Sequence, residues 1–315
     1  MRIVVALGGN ALLERGERPD ALIQRHHVQR AAESLAPLCE RHQLIVCHGN
    51  GPQVGLLALE SESDHSLSRP YPLDVLGAQT QGMIGYWLAQ ELHNAGVKQP
   101  IVSIITQTVV AASDTGFRHP DKFIGAAYDK QRADALASRL HWTTALDGTH
   151  YRRVVPSPAP LRIIEQEAVE RLLEGGFTVI CGGGGGVPVV QEGSGKLSGT
   201  EAVVDKDLTA AKIAIDNHAD RLLLLTDVPA VMHGFGTTHA TAIRRLSLPE
   251  LGSMTFPAGS MGPKIRACRQ FVEATKSPAA IGALTDAADI LAGTAGTTLA
   301  PDSRAARPLN PLPQT

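Results

Sequence analysis

The stretch LIVCHGNGPQVG, residues 44–55, decides the fold. Its first four residues are apolar and predict a short buried strand. The glycines, asparagine and proline after His48 let the backbone approach a ligand closely and direct N–H groups at an anion. No lysine or arginine lies between His42 and Gly55, so main chain and a helix dipole would have to hold that anion. The stretch therefore predicts a site for a small anionic ligand.

Further apolar runs recur along the chain and alternate with helical patterns. Strands are predicted over Ile3–Leu7, Leu44–Cys47, Ile101–Ile105, Thr178–Cys181 and Leu222–Leu225. Helices are predicted over Gln24–Glu40, Ala78–Ala95, Glu165–Leu173, Asp205–Asn217 and Pro263–Thr275. This alternation is typical of an α/β fold whose mainly parallel sheet is covered on both faces. The carboxyl ends of the strands then share one edge, which predicts a single extended crevice.

The composition argues against several classes of protein. A length of 315 residues allows a large core in one or two lobes, and a net charge of -2 gives no electrostatic reason to bind nucleic acid or an anionic membrane. The four cysteines lie far apart, which disfavours a disulfide framework or zinc cluster and favours a reducing compartment. No segment has the length of a membrane span or the pattern of a signal peptide. We expect a cytoplasmic enzyme.

Two regions break the alternating pattern. Residues 113–160 are polar and rich in proline, glycine and aromatic residues, and we interpret them as a small inserted subdomain that can move over the crevice. The proline-rich tail from Pro301 to Thr315 is predicted to be disordered.

The five glycines at 182–186 follow a predicted strand directly. A dinucleotide fingerprint would need a further glycine at Val187 or Pro188, and a Walker motif fails because Leu197 follows Lys196. These spacings disfavour a nicotinamide dehydrogenase. The position after a strand favours anion binding, with a flexible turn as the alternative.

Two lysines stand at predicted helix starts, where the helix dipole disfavours cations. Asp205 is a candidate N-cap followed by Lys206 and Asp207, and Lys264 follows a proline in the first helical turn. A phosphate held between the two lysines would explain both positions, with Asp207 orienting them. Ordinary capped helices with surface charges are the alternative.

The remaining candidates are less specific. Thr226 and Asp227 end an apolar strand and could hold an adenine or ribose edge, or simply form a hydrogen-bonded turn. The histidines lack a metal-ligand spacing, and His48 is expected to support its turn rather than act as a base. Because no nucleophile with an adjacent base is indicated, we expect direct in-line phosphoryl transfer.

Taken together, the motifs resemble the carbamate kinases, a branch of the amino acid kinase superfamily. The matching segments, which cover nearly the whole chain except the tail, are Val4–Leu12, His48–Gly55, Thr80–Leu88, Arg153–Pro158, Cys181–Val189, Glu201–Asp207, Ala258–Lys264 and Gly293–Leu299.

The resemblance implies a homodimeric three-layer α/β/α sandwich with a mainly parallel central sheet and a small protruding subdomain. Residues 1–300 would form the kinase domain, with an acceptor-binding N-terminal half, an ATP-binding region at about 201–300 and the subdomain at about 113–160. The implied reaction is ATP + carbamate ⇌ ADP + carbamoyl phosphate, often run toward ATP in arginine fermentation. Magnesium would bind with ATP, and no metal site of the protein's own is implied.

The resemblance also assigns roles to individual residues. Asp207 would orient the lysines, and Lys206 and Lys264 would be catalytic as well as ATP-binding. The acceptor and the transferring phosphoryl group would be held by Gly8, Gly9, Asn10, Asn50 and Gly51. The nucleotide would be held by Gly182, Gly183, Lys206, Thr226, Asp227, Met261 and Lys264.

One catalytic lysine is expected to come from the subdomain. Many superfamily members have a lysine just before the first Gly-Gly, where this chain has Ala6 and Leu7. In carbamate kinases a subdomain lysine is thought to replace it, and Lys122 is the closest match, with Arg118 as a second candidate. The segment reads DKFIG at 121–125 where the family usually has TKPIG. Aspartate before the lysine and phenylalanine in place of proline keep the lysine in position but change the expected rigidity of the loop.

Two alternatives to carbamate kinase remain open on the sequence. One is a related kinase with another small anionic acceptor, although no arginine lies near 48–55 to bind a larger one. The other is a nucleotide-binding paralogue without catalysis. The altered segment at 121–125 favours that alternative, and the retained Lys206, Asp207 and Lys264 oppose it.

Overall fold

The computed structural model describes residues 1–9, 12–14, 16–237, 239–252, 254–256 and 261–302. Asn10 and tail residues 303–315 therefore lie outside the described part of the chain. The strands are β1 Arg2–Leu7, β2 Gln43–His48, β3 Ile101–Ser103, β4 Gln107–Val109, β5 Lys122–Tyr128, β6 Thr143–Asp147, β7 His150–Val155, β8 Arg162–Ile163, β9 Thr178–Ile180, β10 Val187–Gln191, β11 Leu197–Gly199, β12 Arg221–Thr226, β13 Val231–His233, β14 Thr241–Ile243, β15 Arg245–Ser247, β16 Ala279–Ala283 and β17 Thr297–Ala300. The α-helices are α1 Ala21–Arg41, α2 Gly51–Ser63, α3 Leu73–Asn94, α4 Lys130–Leu140, α5 Gln166–Glu174, α6 Lys206–Asp216, α7 Leu248–Leu251, α8 Met261–Thr275 and α9 Ala287–Ala292.

The main sheet has eight strands in the order β15-β17-β16-β12-β1-β2-β9-β3. Its neighbouring strands are parallel except for β16 and β17. The five strands predicted from the sequence are the adjacent set β12, β1, β2, β9 and β3, so the prediction of a mainly parallel sheet is confirmed. A separate four-stranded sheet has the order β11-β10-β4-β8, and β13 pairs with β14.

Both faces of the main sheet are buried under helices. Val4 and Ile45 belong to an apolar core shared with α5, α6 and α8. Val5 and Val46 face the opposite way, into a core shared with α1, α3 and α9. Successive strand residues thus enter opposite cores, as a sheet covered on both sides requires. The predicted three-layer α/β/α arrangement is confirmed.

The segment that interrupts the alternation contains a small antiparallel sheet. Its strands lie in the order β5-β7-β6, and α4 connects β5 to β6. The three strands and α4 occupy residues 122–155, and from here on we use the name protruding subdomain for these residues. The wider bounds of about 113–160 stay a prediction. Ile124 of β5 is fully buried and shares an apolar cluster with Val54 and Ala58 of α2. This subdomain therefore packs on helix α2.

The predicted turn after β2 is shorter than expected, because α2 already begins at Gly51. Only Gly49 and Asn50 connect the strand to the helix. The sequence did not indicate this helix because the glycines of the stretch have low helix propensity. Pro52 is compatible with the helix, since proline is well tolerated in a first turn. Among the described residues, no helix has the length and apolar character needed to cross a membrane.

Candidate active site

The predicted site residues that the structure describes lie at the carboxyl edge of the main sheet. Strands β1, β2 and β12 are parallel neighbours, so Gly8, Gly49 and Thr226 leave the sheet side by side. The Gly8 N–H donates to the Leu225 carbonyl at 2.8 Å, and the Gly49 N–H donates to the Leu7 carbonyl at 3.1 Å. These bonds continue the ladder past the strand ends and define one wall of a crevice.

The turn between β2 and α2, residues 49–51, lies deep in this crevice. A Cβ atom placed on Gly49 would lie 3.1 Å from the Gly9 nitrogen and 3.3 Å from Cδ of Lys206. Asn50 is buried, and its Nδ2 donates to Oγ1 of Thr80 at 2.9 Å. The turn therefore lies within van der Waals range of a predicted acceptor residue and of a predicted catalytic lysine.

The glycine run lies against the same turn. Gly184 has φ 62° and approaches Asn50 so closely that an added Cβ would lie 2.1 Å from the Asn50 Nδ2. A Cβ on Gly183 would lie 2.3 Å from Nε2 of His48. A side chain at either position would displace the turn. The assignment of Gly182 and Gly183 to ATP stays a prediction, and the glycine run contacts the turn that was predicted to hold the acceptor.

Lys206, Asp207 and Lys264 form one buried ionic cluster. Lys206 Nζ lies 2.7 Å from Asp207 Oδ1, and Lys264 Nζ lies 3.0 Å from Asp207 Oδ2. Only 10%, 4% and 12% of the Lys206, Asp207 and Lys264 side chains are exposed. The alternative of ordinary surface charges is therefore wrong, and Asp207 has the geometry expected of a group that orients both lysines.

Lys122 enters the crevice from the protruding subdomain. Its Nζ lies 2.5 Å from Oδ2 of Asp205, 83 residues away in the sequence. The other Asp205 oxygen, Oδ1, accepts the backbone N–H groups of Asp207 and Leu208 at 2.9 and 3.2 Å, so Asp205 also caps α6. The Arg118 N–H donates to the Thr115 carbonyl at 3.0 Å, in the turn before β5. The structure thus brings Lys122 into the ionic cluster, whereas the choice between Lys122 and Arg118 for the phosphoryl group stays a prediction.

The pKa directions in the cluster reflect burial and mutual attraction. Burial raises the pKa of the Asp205 and Asp207 carboxyls, but the adjacent ammonium groups outweigh burial and lower both values. Burial lowers the pKa of Lys206 more than the aspartates restore it. For Lys264 the attraction of Asp207 outweighs burial, and the pKa rises. Both aspartates are therefore ionised at neutral pH, and they hold cations in place.

The predicted nucleoside-side residues lie at the same edge. Thr226 donates from Oγ1 to Oδ1 of Asp227 at 3.0 Å, and a Cβ on Gly8 would lie 3.7 Å from that Oγ1. Met261 begins α8, one turn before Lys264. These positions place the three residues at the crevice, whereas their contact with a nucleoside stays a prediction.

Sequence reasoning missed several supporting side chains. Asp205 was expected only as an N-cap, and nothing in the sequence links it to Lys122. Gln81 Oε1 accepts the Thr106 N–H at 3.0 Å, and Thr106 Oγ1 accepts the Gly182 N–H at 2.8 Å. The resemblance covered Thr80 and Gln81 as a segment but gave them no role.

The Cys47 thiol, near the crevice, is unsuited to attack phosphorus. Cys47 and Cys181 are free and buried at the ends of β2 and β9. A hydrogen bond to the Cys181 thiol, together with burial, raises the pKa of Cys47. A thiol in this environment is protonated at neutral pH, which makes it a poor nucleophile.

His48 supports the turn, as expected. Its Nδ1 lies 3.0 Å from the Gly49 carbonyl, and burial lowers its pKa to about 4. The unfolded chain, with a His pKa near 6.5, therefore binds a proton between about pH 6.5 and 4 that the folded protein excludes, and stability falls as the pH drops through that window. The pKa values of Asp205 and Asp207 are lowered by the neighbouring ammonium groups, so their carboxyls stay ionised through this window.

We expect His48→Asn to remove this pH dependence. Between pH 7.5 and 4.5 the free energy of unfolding of the wild type should fall by about 2 to 3 kcal/mol more than that of the variant. Urea unfolding of both proteins at the two pH values measures the difference. Parallel pH profiles would show that folding does not lower the pKa of His48.

The fold and the site define an ATP-dependent kinase, and the chain belongs to the amino acid kinase family, whose model matches residues 1–283. Two relatives within that family are carbamate kinases. It is 50% identical to the carbamate kinase of Rhizobium meliloti over 290 residues, covering 91% of this chain and 89% of the relative. It is 46% identical to the carbamate kinase of Escherichia coli K12, covering 94% of this chain and 98% of the relative.

Solved structures of carbamate kinase are similar to this chain over nearly its full length. A carbamate kinase from Giardia lamblia bound to citric acid superposes with a TM-score of 0.89 at 35% identity, covering 95% of this chain and 98% of that one. The same enzyme bound to AMP-PNP gives a TM-score of 0.84 at 35% identity, with the same coverage. The kinase class and the fold predicted from the sequence are confirmed.

Proposed function

We propose that this protein is a carbamate kinase that transfers a phosphoryl group reversibly between ATP and carbamate. The observation that carries the proposal is the buried cluster of lysines held by Asp205 and Asp207 beside an uncharged turn of backbone. The cluster suits a transferring phosphoryl group, and the turn suits an acceptor too small to need a charged side chain. The kind of relatives that the chain resembles supports the same reaction.

In the proposed reaction a carbamate oxygen attacks the γ-phosphorus of ATP in line with the bridging oxygen. A bond to carbamate forms while the bond to the β–γ bridging oxygen breaks, and its electron pair leaves with ADP. Lys206, Lys264 and Lys122 spread the charge on the moving group, and Asp207 orients two of them. When the nucleotide binds, the Lys122 ammonium would leave the Asp205 carboxylate and bind a phosphoryl oxygen instead.

We propose that the crevice has an acceptor side and an ATP side. Residues Gly8, Gly9, Asn50 and Gly51, with Asn10 outside the described residues, would hold the acceptor in the N-terminal half. The region at about 201–300 would hold ATP through Lys206, Thr226, Asp227, Met261 and Lys264, with Gly182 and Gly183 between the two halves. The protruding subdomain would cover the crevice and supply Lys122.

Magnesium would enter with ATP. The described residues contain no group of three or more His, Cys, Asp or Glu side chains that could hold a metal ion, and both oxygens of Asp207 already bind lysines. We propose that phosphate oxygens and waters supply most of the ligands of the ion. Asp205 and Asp207 could accept hydrogen bonds from those waters, and the ion would neutralise part of the phosphate charge. Removing it with EDTA should abolish turnover.

A cytoplasmic homodimer is the remaining part of the proposal. The four cysteines are free and buried, which supports a reducing compartment. The homodimer rests on the family resemblance. Light scattering on the purified protein tests it, since a mass near that of a single 33.3 kDa chain would contradict it.

ATP formation from ADP and a panel of acyl phosphates tests the reaction. We expect carbamoyl phosphate to give the highest kcat/KM, with acetyl phosphate and aspartyl phosphate well below it. A preference for another acyl phosphate would favour the related kinase. If no compound turns over, even in a single-turnover measurement, the protein is a non-catalytic nucleotide-binding paralogue.

A further inference from the structure

Helix α2 contacts the protruding subdomain at three points along its length. At its first residue, a Cβ on Gly51 would lie 3.6 Å from the Phe123 carbonyl oxygen. In its middle, Gly55 touches the backbone of Gly125, where an added Cβ would lie 2.1 Å from Cα. Glu62 forms the third contact, near the end of the helix. The helix that begins at the acceptor-side turn is therefore also the support for the strand that carries Lys122.

The third contact is the polar one. Oε1 of Glu62 accepts a hydrogen bond from Nε1 of Trp142 at 2.9 Å and lies 3.4 Å from Nη1 of Arg153. The Arg153 guanidinium lies over the Trp142 ring, 4.5 Å from its centroid. The Glu62 and Arg153 side chains are only 14% and 16% exposed. One carboxylate thus fixes side chains from two parts of the subdomain in a partly desolvated place.

The pairing of β7 with β5 links the Glu62 contact to Lys122 at the crevice. Arg153 of β7 lies opposite Ile124 of β5, and Val155 lies opposite Lys122. The order of contacts is therefore Glu62 to Arg153, β7 to β5, and Lys122 to Asp205. A shift of the subdomain on α2 would move the Lys122 ammonium relative to the rest of the cluster.

We propose that Glu62 is a positioning residue: by holding Trp142 and Arg153 it sets where Lys122 lies over the crevice. The inference rests on the proposed function, because it assumes that Lys122 acts on the transferring phosphoryl group. Among the described residues, the Glu62 carboxylate pairs with Trp142 and Arg153 and with no predicted site residue, so we expect its effect to pass through the subdomain.

A double-mutant cycle with Glu62→Ala and Lys122→Ala tests the proposal. We expect Glu62→Ala to lower kcat for ATP formation about 10-fold while KM for ADP stays within about twofold. In the Lys122→Ala background the same change should lower kcat less than about twofold, since coupled residues are not additive. Glu62→Gln, which keeps an oxygen for Trp142, should recover part of the loss. Glu60→Ala, an exposed glutamate on the same helix, is the matched control and should keep wild-type kcat.

Equal loss of kcat in both backgrounds would overturn the proposal, because Glu62 would then act on folding or on another group. Wild-type kcat in Glu62→Ala, or in Lys122→Ala, would overturn it as well. Hydrogen exchange separates this inference from the proposed function. The amides of residues 122–128 should exchange faster in Glu62→Ala than in Glu60→Ala, whichever acyl phosphate the enzyme uses. Faster exchange in a protein inactive with carbamoyl phosphate would contradict the function and support the contact.

Discussion

The Lys206→Ala variant is expected to form ATP from ADP and carbamoyl phosphate with a kcat about 100- to 1000-fold below that of the wild type. Lys206 is a nearly buried ammonium group held by Asp207 beside the turn at Gly49. A fixed charge in a site that excludes water stabilises developing negative charge strongly, and loss of one such group costs about 3 to 4 kcal/mol of transition-state stabilisation. A coupled assay of ATP formation measures it.

Lys212→Ala is the matched control for this change. Lys212 lies on the same helix, α6, where it pairs with Asp216 one turn away, and its side chain is 28% exposed. Its replacement should leave kcat unchanged. The Lys206→Ala variant should still fold, because Asp207 keeps Lys264 as a partner. A folded Lys206→Ala enzyme with full activity would remove Lys206 from the proposed mechanism.

The Gly55→Ala variant is expected to lose about 100-fold in kcat through a contact remote from the phosphoryl group. The new Cβ would lie 2.1 Å from Cα and 2.2 Å from N of Gly125, so α2 and β5 must separate. Both neighbouring atoms belong to backbone and cannot rotate away. A displacement of about 1 Å in a positioned catalytic group costs about 100-fold in rate, and overpacking costs about 1 to 3 kcal/mol in stability. Steady-state kinetics and urea unfolding measure the two effects.

The same substitution at Gly193 provides the comparison. Gly193 lies in the turn between β10 and β11, and no atom lies within 4 Å of a Cβ added there. Gly193→Ala should change neither kcat nor the free energy of unfolding measurably. If Gly55→Ala behaved in the same way, the subdomain would not depend on close contact with α2.

The centre of the fold could be predicted from the sequence because its strands are unusually apolar. Strands β1, β2, β9 and β12 are buried on both faces, so each is a continuous apolar run. Their parallel pairing then places the residues after each strand at one edge, which is why Gly8, Gly49 and Thr226 could be assigned to one crevice. The lysines in the first turns of α6 and α8 could be linked to an anion because a cation there opposes the helix dipole.

The outer part of the sheet and the contacts between distant segments could not be predicted in this way. Strand β16 consists of alanine, isoleucine and glycine, which carry a weak strand signal, and β15 has only three residues. The Lys122–Asp205 pair joins residues 83 positions apart, and no local pattern encodes it. The close contact between Gly55 and Gly125 could not be predicted either, because a glycine in the sequence does not indicate which backbone segment approaches it.

The pairing of lysines with aspartates has an energetic consequence for nucleotide binding. In the cluster of described residues, three ammonium groups (Lys122, Lys206 and Lys264) pair with the carboxylates of Asp205 and Asp207, so these five side chains carry one net positive charge. Removing buried ions from water is costly, and here that cost is met when the chain folds rather than when the nucleotide arrives. In the proposed site, incoming phosphates would meet cations that are already oriented and largely removed from water, and departing ADP would leave lysines whose carboxylate partners are still in place.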